Sequence, residues 1–218
     1  MTGDGTAENV KEPLAMAVLA SGRGTNFEAL ADSIDRREVK GVIRVVISDK
    51  PDAPVLTKAR KRGIPAVYIN PSQFSSKELY EEEISRICQE YQVDLIVLAG
   101  YMRILGESFV NRFPFRIINI HPALLPSFPG LHAQRQALEY GVRFTGCTVH
   151  FVDAGVDTGP IILQQVVPVL PDDDEETLTQ RILKEEHKLL PQAVQLLAEG
   201  RLKIVGRRVI ILPKEGDK

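Results

Sequence analysis

In the run RIINIHPALLPSFPGLH, residues 116–132, Asn119 and His121 stand two apart at the end of an apolar segment. Side chains at i and i+2 of a strand share a face, so an amide and an imidazole would leave the sheet together. The amide supplies two N–H donors and a protonated imidazole two more, enough to hold an oxyanion during acyl transfer. A lone His near a strand end is usually a hydrogen-bonded structural residue, and the paired spacing together with the location at the sheet edge where open α/β sheets bind ligands raises a catalytic use to equal weight. Pro122, Pro126 and Pro129 follow within eight residues and predict a stiff exit from the strand that keeps the pair oriented.

Two further stretches carry chemistry. SGRGTN, residues 21–26, lies between an apolar strand and a helical pattern. Such a glycine-rich turn aims backbone N–H groups at a phosphate from a helix N-terminus. Phe27 stands where the third glycine of a dinucleotide fingerprint would be, and no Walker lysine follows, so a single terminal phosphate is expected. The plainer alternative is a tight turn with Thr25 or Asn26 as a helix cap. Asp157 lies in VDAGVDTGP, residues 152–160. Asp-Thr-Gly-Pro is good turn chemistry by itself. Beside His121, however, its carboxylate would raise the imidazole pKa and select a tautomer. His132, at a helix start, and His150, alternating into a strand face, read as structural.

The elements that must position these residues are legible as alternating apolar runs and helical patterns. Strands are expected at LAMAVLA, GVIRVVIS, AVYI, DLIVLAG and RIINI, and helices at 25–36, 53–62, 76–91, 103–111 and 131–140. That alternation predicts an α/β fold, Rossmann-like, with a mostly parallel twisted sheet of about seven strands and helices on both faces. Right-handed crossovers then bring the carboxyl ends of the parallel strands to one edge. After residue 145 come two long strands, GCTVHFVD and PIILQQVVPV, a helix over about 174–199 and a closing hairpin, RLKIVGRRVIIL. Residues 1–14 read as a loose leader, 15–213 as one domain and 214–218 as a tail.

Composition narrows the function classes. With 218 residues, 44% of them apolar, the chain can bury a full core, and a net charge of -2 offers no general field for nucleic acid. No apolar run approaches the roughly 20 residues of a membrane span. Two distant cysteines form no CxxC pair, and neither HExxH nor GxSxG occurs, so neither a metal nor a serine nucleophile is expected. A cytoplasmic setting follows from the two free thiols.

Taken in order, SGRGTN, AGYMRIL, NIHPALLPSFPG and VDAGVDTGPII resemble the formyltetrahydrofolate-using formyltransferases, and among them the phosphoribosylglycinamide formyltransferases. The resemblance runs over about residues 15–200. Asn119, His121 and Asp157 are common to the wider family, whereas the continuous HPALLPSFPG and the short leader favour this branch over methionyl-tRNA formyltransferase or formyltetrahydrofolate hydrolase. It implies formyl transfer from 10-formyltetrahydrofolate, a co-substrate, to the amine of phosphoribosylglycinamide, in purine synthesis and without a metal. Both partners are small molecules, neither nucleic acid nor membrane is involved, and a homodimer stays open. The hydrolase is the alternative enzyme, and a nucleotide-sensing α/β module the alternative of another class.

Position by position, the resemblance implies that Gly24, Thr25 and Asn26 hold the ribonucleotide phosphate. Met102, Arg103, Ile104 and Leu105 would line the folate pocket with Asn119 and the loop Asp153, Ala154, Gly155, Val156 and Asp157. Lys77, where some relatives carry Arg, would reach the folate with a point charge and no bidentate fork. Leu183, Lys184, Glu185 and Glu186 would face the ribonucleotide, and Asn119, His121 and Asp157 would form the catalytic set. A cis bond before Pro126 is also implied.

Overall fold

Strand β1 (Leu14–Leu19) shows why the sheet is covered on both faces. Met16 and Val18 pack into one apolar cluster, while Ala17 and Leu19 pack into another on the opposite side. The first cluster lies under α1 (Thr25–Asp35), α2 (Pro54–Lys61) and α6 (Glu175–Ala198); the second lies under α3 (Lys77–Glu90) and α4 (Glu107–Arg112). The computed structural model describes residues 12–214. The expected leader, through residue 11, and the tail from residue 215 lie outside the described residues.

The remaining elements are β2 (Gly41–Ser48), β3 (Ala66–Tyr68), β4 (Leu95–Leu98), β5 (Ile117–His121), α5 (Ala133–Tyr140), β6 (Phe144–Phe151), β7 (Ile161–Pro168), β8 (Leu202–Val205) and β9 (Arg208–Ile211). They form one sheet in the order β3-β2-β1-β4-β5-β6-β7-β9-β8. The first five strands are parallel, β6 runs antiparallel to β5 and β7, and β9 pairs with β7 through Ile161 and Arg208. The parallel strand order reverses between β1 and β4, the point where open α/β sheets bind ligands beyond the carboxyl ends of the strands.

Among the described residues nine strands replace the expected seven or so, because the closing hairpin adds to the β7 edge instead of standing apart. The helix expected over 103–111 begins only at Glu107. Before it, the Met102 N–H is given to Ser21 Oγ and the Gly106 N–H to Glu81, bonds outside any helical ladder. α6 opens with a capping box in which Asp174 and Thr177 each accept from the other's backbone N–H, in keeping with the acidic opening read from sequence.

Candidate active site

The carboxyl ends of β1, β4 and β5 open into a cavity of about 520 Å³, within the size range of small-molecule sites. Asn119 and His121 reach it from β5. Asp157 reaches it from the β6–β7 connection, with φ 54°, in the left-handed region that Asp and Asn tolerate better than most residues. His121 Nδ1 lies 3.3 Å from Asp157 Oδ2, and Asn119 Nδ2 lies 3.4 Å from Asp157 Oδ1. The Gly130 N–H donates to Asp157 Oδ2 at 2.8 Å, which fixes the carboxylate from the proline-bearing loop. The Leu125–Pro126 bond in that loop is cis, as the resemblance implies.

His121 is buried, and its Nε2 lies 2.8 Å from the Phe128 carbonyl. Only a protonated Nε2 can donate there, which places the hydrogen of the neutral ring on that atom and turns Nδ1 toward Asp157. Burial lowers the His121 pKa, while the Asp157 charge and the Phe128 carbonyl pull it upward without cancelling the loss. The carboxylate acts in the expected direction, but desolvation of the cation outweighs it, so the net shift is downward. Burial also pushes the Asp157 carboxyl up, but His150, the Gly130 N–H and the His121 charge together hold it below its ordinary value. The arrangement is a carboxylate beside an unprotonated ring nitrogen, which together can take up one proton.

His150 belongs to this cluster although its sequence context reads as structural. In the antiparallel pairing of β5 and β6 it stands opposite Asn119, with Nε2 3.3 Å from Asn119 Nδ2 and 3.5 Å from Asp157 Oδ1. Its Nδ1 lies 2.8 Å from the Phe151 carbonyl, so the ring is pinned at both nitrogens. The β6–β7 register shifts between Val149 and His150, an irregularity of the kind that re-aims a side chain near a site. Only the β5–β6 register, which a single strand does not reveal, could have brought it into view.

One wall of the cavity is apolar and open. Met102 and Ile104 are 60% and 61% exposed, Val156 is 45% exposed, and Leu105 beneath them is buried. Asp153 Oδ1 closes the facing loop by accepting from the Gly155 N–H and from Thr158 Oγ1. A Cβ on Gly155 would fall 2.0 Å from that hydroxyl oxygen, so the loop's tightness requires glycine there. Arg207, in the turn between β8 and β9, donates to the Thr158 carbonyl and ties the C-terminal hairpin to this loop.

At the far end the cavity meets the start of α1 and the inner face of α6. Asn26 is buried and donates to Glu186 Oε2 at 2.8 Å, while its own Oδ1 has no partner among the described residues. Burial raises the Glu186 carboxyl to about 7, against the pull of Asn26. Thr179, Leu183 and Glu186 share the cavity face of α6 at helical spacing. Lys184 and Glu185 turn away from it, Glu185 pairing with Lys188 at 2.8 Å. Arg23, which sequence reasoning passed over, joins the lining.

The other expected residues flank the cavity. Gly24, at φ 70°, begins α1, and a Cβ there would come within 2.5 Å of Val55. A larger residue at this position would therefore clash with Val55 and strain the backbone. Thr25 follows in the first turn of α1. Ala154 lies in the facing loop without lining the cavity, and Lys77 lies outside the lining with Nζ 3.7 Å from Glu81.

This sheet, with an amide, two imidazoles and a carboxylate gathered at its switch-point edge, is that of a formyl transferase: the sequence profile of the Formyl transferase family matches residues 14–194, and the chain belongs to that family. Within it the likeness is to the phosphoribosylglycinamide formyltransferases. The chain is 44% identical over 189 residues to the enzyme of that name from Escherichia coli (strain K12), covering 87% of this chain and 89% of that one. A crystal structure of glycinamide ribonucleotide transformylase 1 from Symbiobacterium toebii superposes with a TM-score of 0.91 at 51% identity, covering 93% of this chain and 95% of that one. The trifunctional purine biosynthetic protein adenosine-3 of Drosophila pseudoobscura pseudoobscura is 52% identical over 93% of this chain, which spans only 15% of that longer protein.

Proposed function

We propose that this chain transfers the formyl group of 10-formyltetrahydrofolate to the amine of phosphoribosylglycinamide, giving formylglycinamide ribonucleotide and tetrahydrofolate. The observation that carries the reading is one cavity with three kinds of wall: a helix start beside the Asn26–Glu186 pair, a polar centre of half-buried Asn119 and Asp157 around buried His121, and an open apolar side at Met102 and Ile104. A phosphorylated polar substrate suits the first. A flat, largely apolar folate ring suits the third, with Arg103, Leu105 and the loop Asp153 to Asp157 around it. Residues 15–213 act as one unit in this reading.

The reaction begins when the amine nitrogen attacks the formyl carbon. A C–N bond forms and the carbonyl electrons move to oxygen. Asn119 Nδ2 turns its two hydrogens toward Asp157 Oδ1 and His150 Nε2, so one of these long contacts yields when it donates to that oxygen, and such a donor typically contributes about 10²–10³ in rate. The attacking amine must lose a proton, and the His121–Asp157 pair accepts it at Nδ1. The imidazolium so formed stabilises the nearby oxyanion electrostatically. Collapse re-forms the carbonyl and breaks the bond to the folate nitrogen, which takes the proton back. Because Nε2 is already given to Phe128, a direct bond from His121 to the formyl oxygen requires that carbonyl to be displaced.

The deciding experiment measures tetrahydrofolate formation with and without glycinamide ribonucleotide. Formation that depends on the amine supports the transferase. Formyl release to water at an undiminished rate without it would replace this reading with the hydrolase, and no turnover in either case would favour a nucleotide-sensing module.

A further inference from the structure

The open wall at residues 102–105 has no helix or strand of its own, yet it is held at both ends. At one end Ser21, just past β1, donates from Oγ to Asp49 Oδ1 at 2.6 Å and accepts the Met102 N–H at 2.9 Å. Asp49 is buried beyond the end of β2, and its carboxylate orients the hydroxyl so that a lone pair faces Met102. At the other end the buried Glu81 of α3 accepts the Gly106 N–H at 2.7 Å. Between them the Tyr80 and Tyr101 hydroxyls meet at 2.5 Å, and the Arg103 guanidinium lies 5.2 Å from the Tyr80 ring centre.

None of Ser21, Asp49 or Glu81 lines the cavity. We propose that the Ser21–Asp49 pair and Glu81 are positioning residues that fix the Met102–Leu105 wall for folate binding. This rests on the transferase reading above. The physical argument is that an irregular segment presenting exposed apolar side chains has few packing contacts to hold its shape. Two carboxylate-backed anchors on its backbone N–H groups remove that freedom before the ligand arrives, so less ordering remains to oppose binding. Lys77, 3.7 Å from Glu81, then acts on this wall through Glu81.

The test compares Ser21→Ala and Glu81→Ala with the rescuing variants Ser21→Thr and Glu81→Gln, which keep an acceptor oxygen. Steady-state formyl transfer should show the folate KM raised roughly 3- to 10-fold in each Ala variant, the effect of one net hydrogen bond. The kcat and the ribonucleotide KM should stay within about twofold of wild type, and the rescuing variants should return the folate KM toward it. Amide hydrogen exchange should show lost protection at Met102 in Ser21→Ala and at Gly106 in Glu81→Ala. An unchanged folate KM, or equal rises in both KM values, overturns the proposal. Were the unmodified enzyme to transfer no formyl group, the transferase reading would fall instead; the exchange data, with folate affinity from calorimetry, would still decide the anchoring.

Discussion

The polar centre and the open wall face each other across one cavity and are built on opposite rules. At the centre, His121 and His150 are 4% and 2% exposed, and their ring nitrogens all face protein groups. At the wall, Met102 and Ile104 leave most of their apolar surface in solvent. Buried, interlinked polar groups fix charge and proton positions, which the chemical step requires. Exposed apolar groups gain free energy only when something covers them, which suits them to the folate-binding role proposed above. The two regions should therefore respond to substitution in different kinetic constants.

The sharpest way to break that comparison is Asp157→Asn. It should lower kcat by about 10²–10³ while both ligand affinities stay within a few-fold, because the amide can neither share a proton with His121 nor stabilise its cation. The double variant with His121→Ala should lose far less than the product of the single losses. Weakened binding at near-normal turnover would make Asp157 a loop residue and erase the distinction.

Glu186→Gln tests the buried side through stability. Its carboxyl rises from 4.5 to about 7, so the folded state keeps the proton over a range where the unfolded chain releases it. Stability should therefore fall as pH rises from 4.5 to about 7, by at most about 3 kcal/mol from this group. The Gln variant should lose that slope, as read from denaturant midpoints at several pH values. A slope equal to wild type would show that Glu186 is not the group responsible.

Met102→Ala and Ile104→Ala address the wall. Each should raise the folate KM by up to about tenfold through lost apolar contact, with kcat nearly constant. A fall in kcat instead would carry the wall into the chemistry. The smallest effect concerns the acid limb of kcat/KM. If neutral His121 accepts the proton, activity should rise with pH through a value below 6.5. Asp157→Asn should move that limb lower still, since the carboxylate is what pulls the imidazole upward. A limb in the opposite sense, with activity lost as pH rises, would mean that the ring works from its charged form.

The parallel half was open to sequence reading because its signals are local. Each apolar run, and each helix beginning at Ser, Gly or Pro, announces itself within a dozen residues, and GVIRVVIS coincides with β2 residue for residue. Asn119 and His121 were visible for the same reason, as two positions on one strand face. What escaped depends on contacts distant in sequence. His150 joins the site through strand register, and the hairpin joins the sheet through the single Ile161–Arg208 pairing. The sign of the His121 shift depends on how deeply the ring is buried, which no spacing encodes. Lys184 and Glu185 came with a contiguous segment carried over by resemblance, and helical rotation separates them from Leu183 and Glu186.

The left-handed backbone at Asp157 has an evolutionary consequence. Of the residues with side chains, Asn and Asp are the ones best suited to φ 54°, and they differ by a single substituent on the terminal carbon. The position that holds the carboxylate of the proposed mechanism therefore accepts its neutral twin at almost no conformational cost. Under that mechanism, one nucleotide change should leave a well-folded protein that still gathers both ligands but turns them over about 10²–10³ more slowly. Lineages that came to need such a receptor, and laboratories that want a stable substrate complex, have the same short path to it.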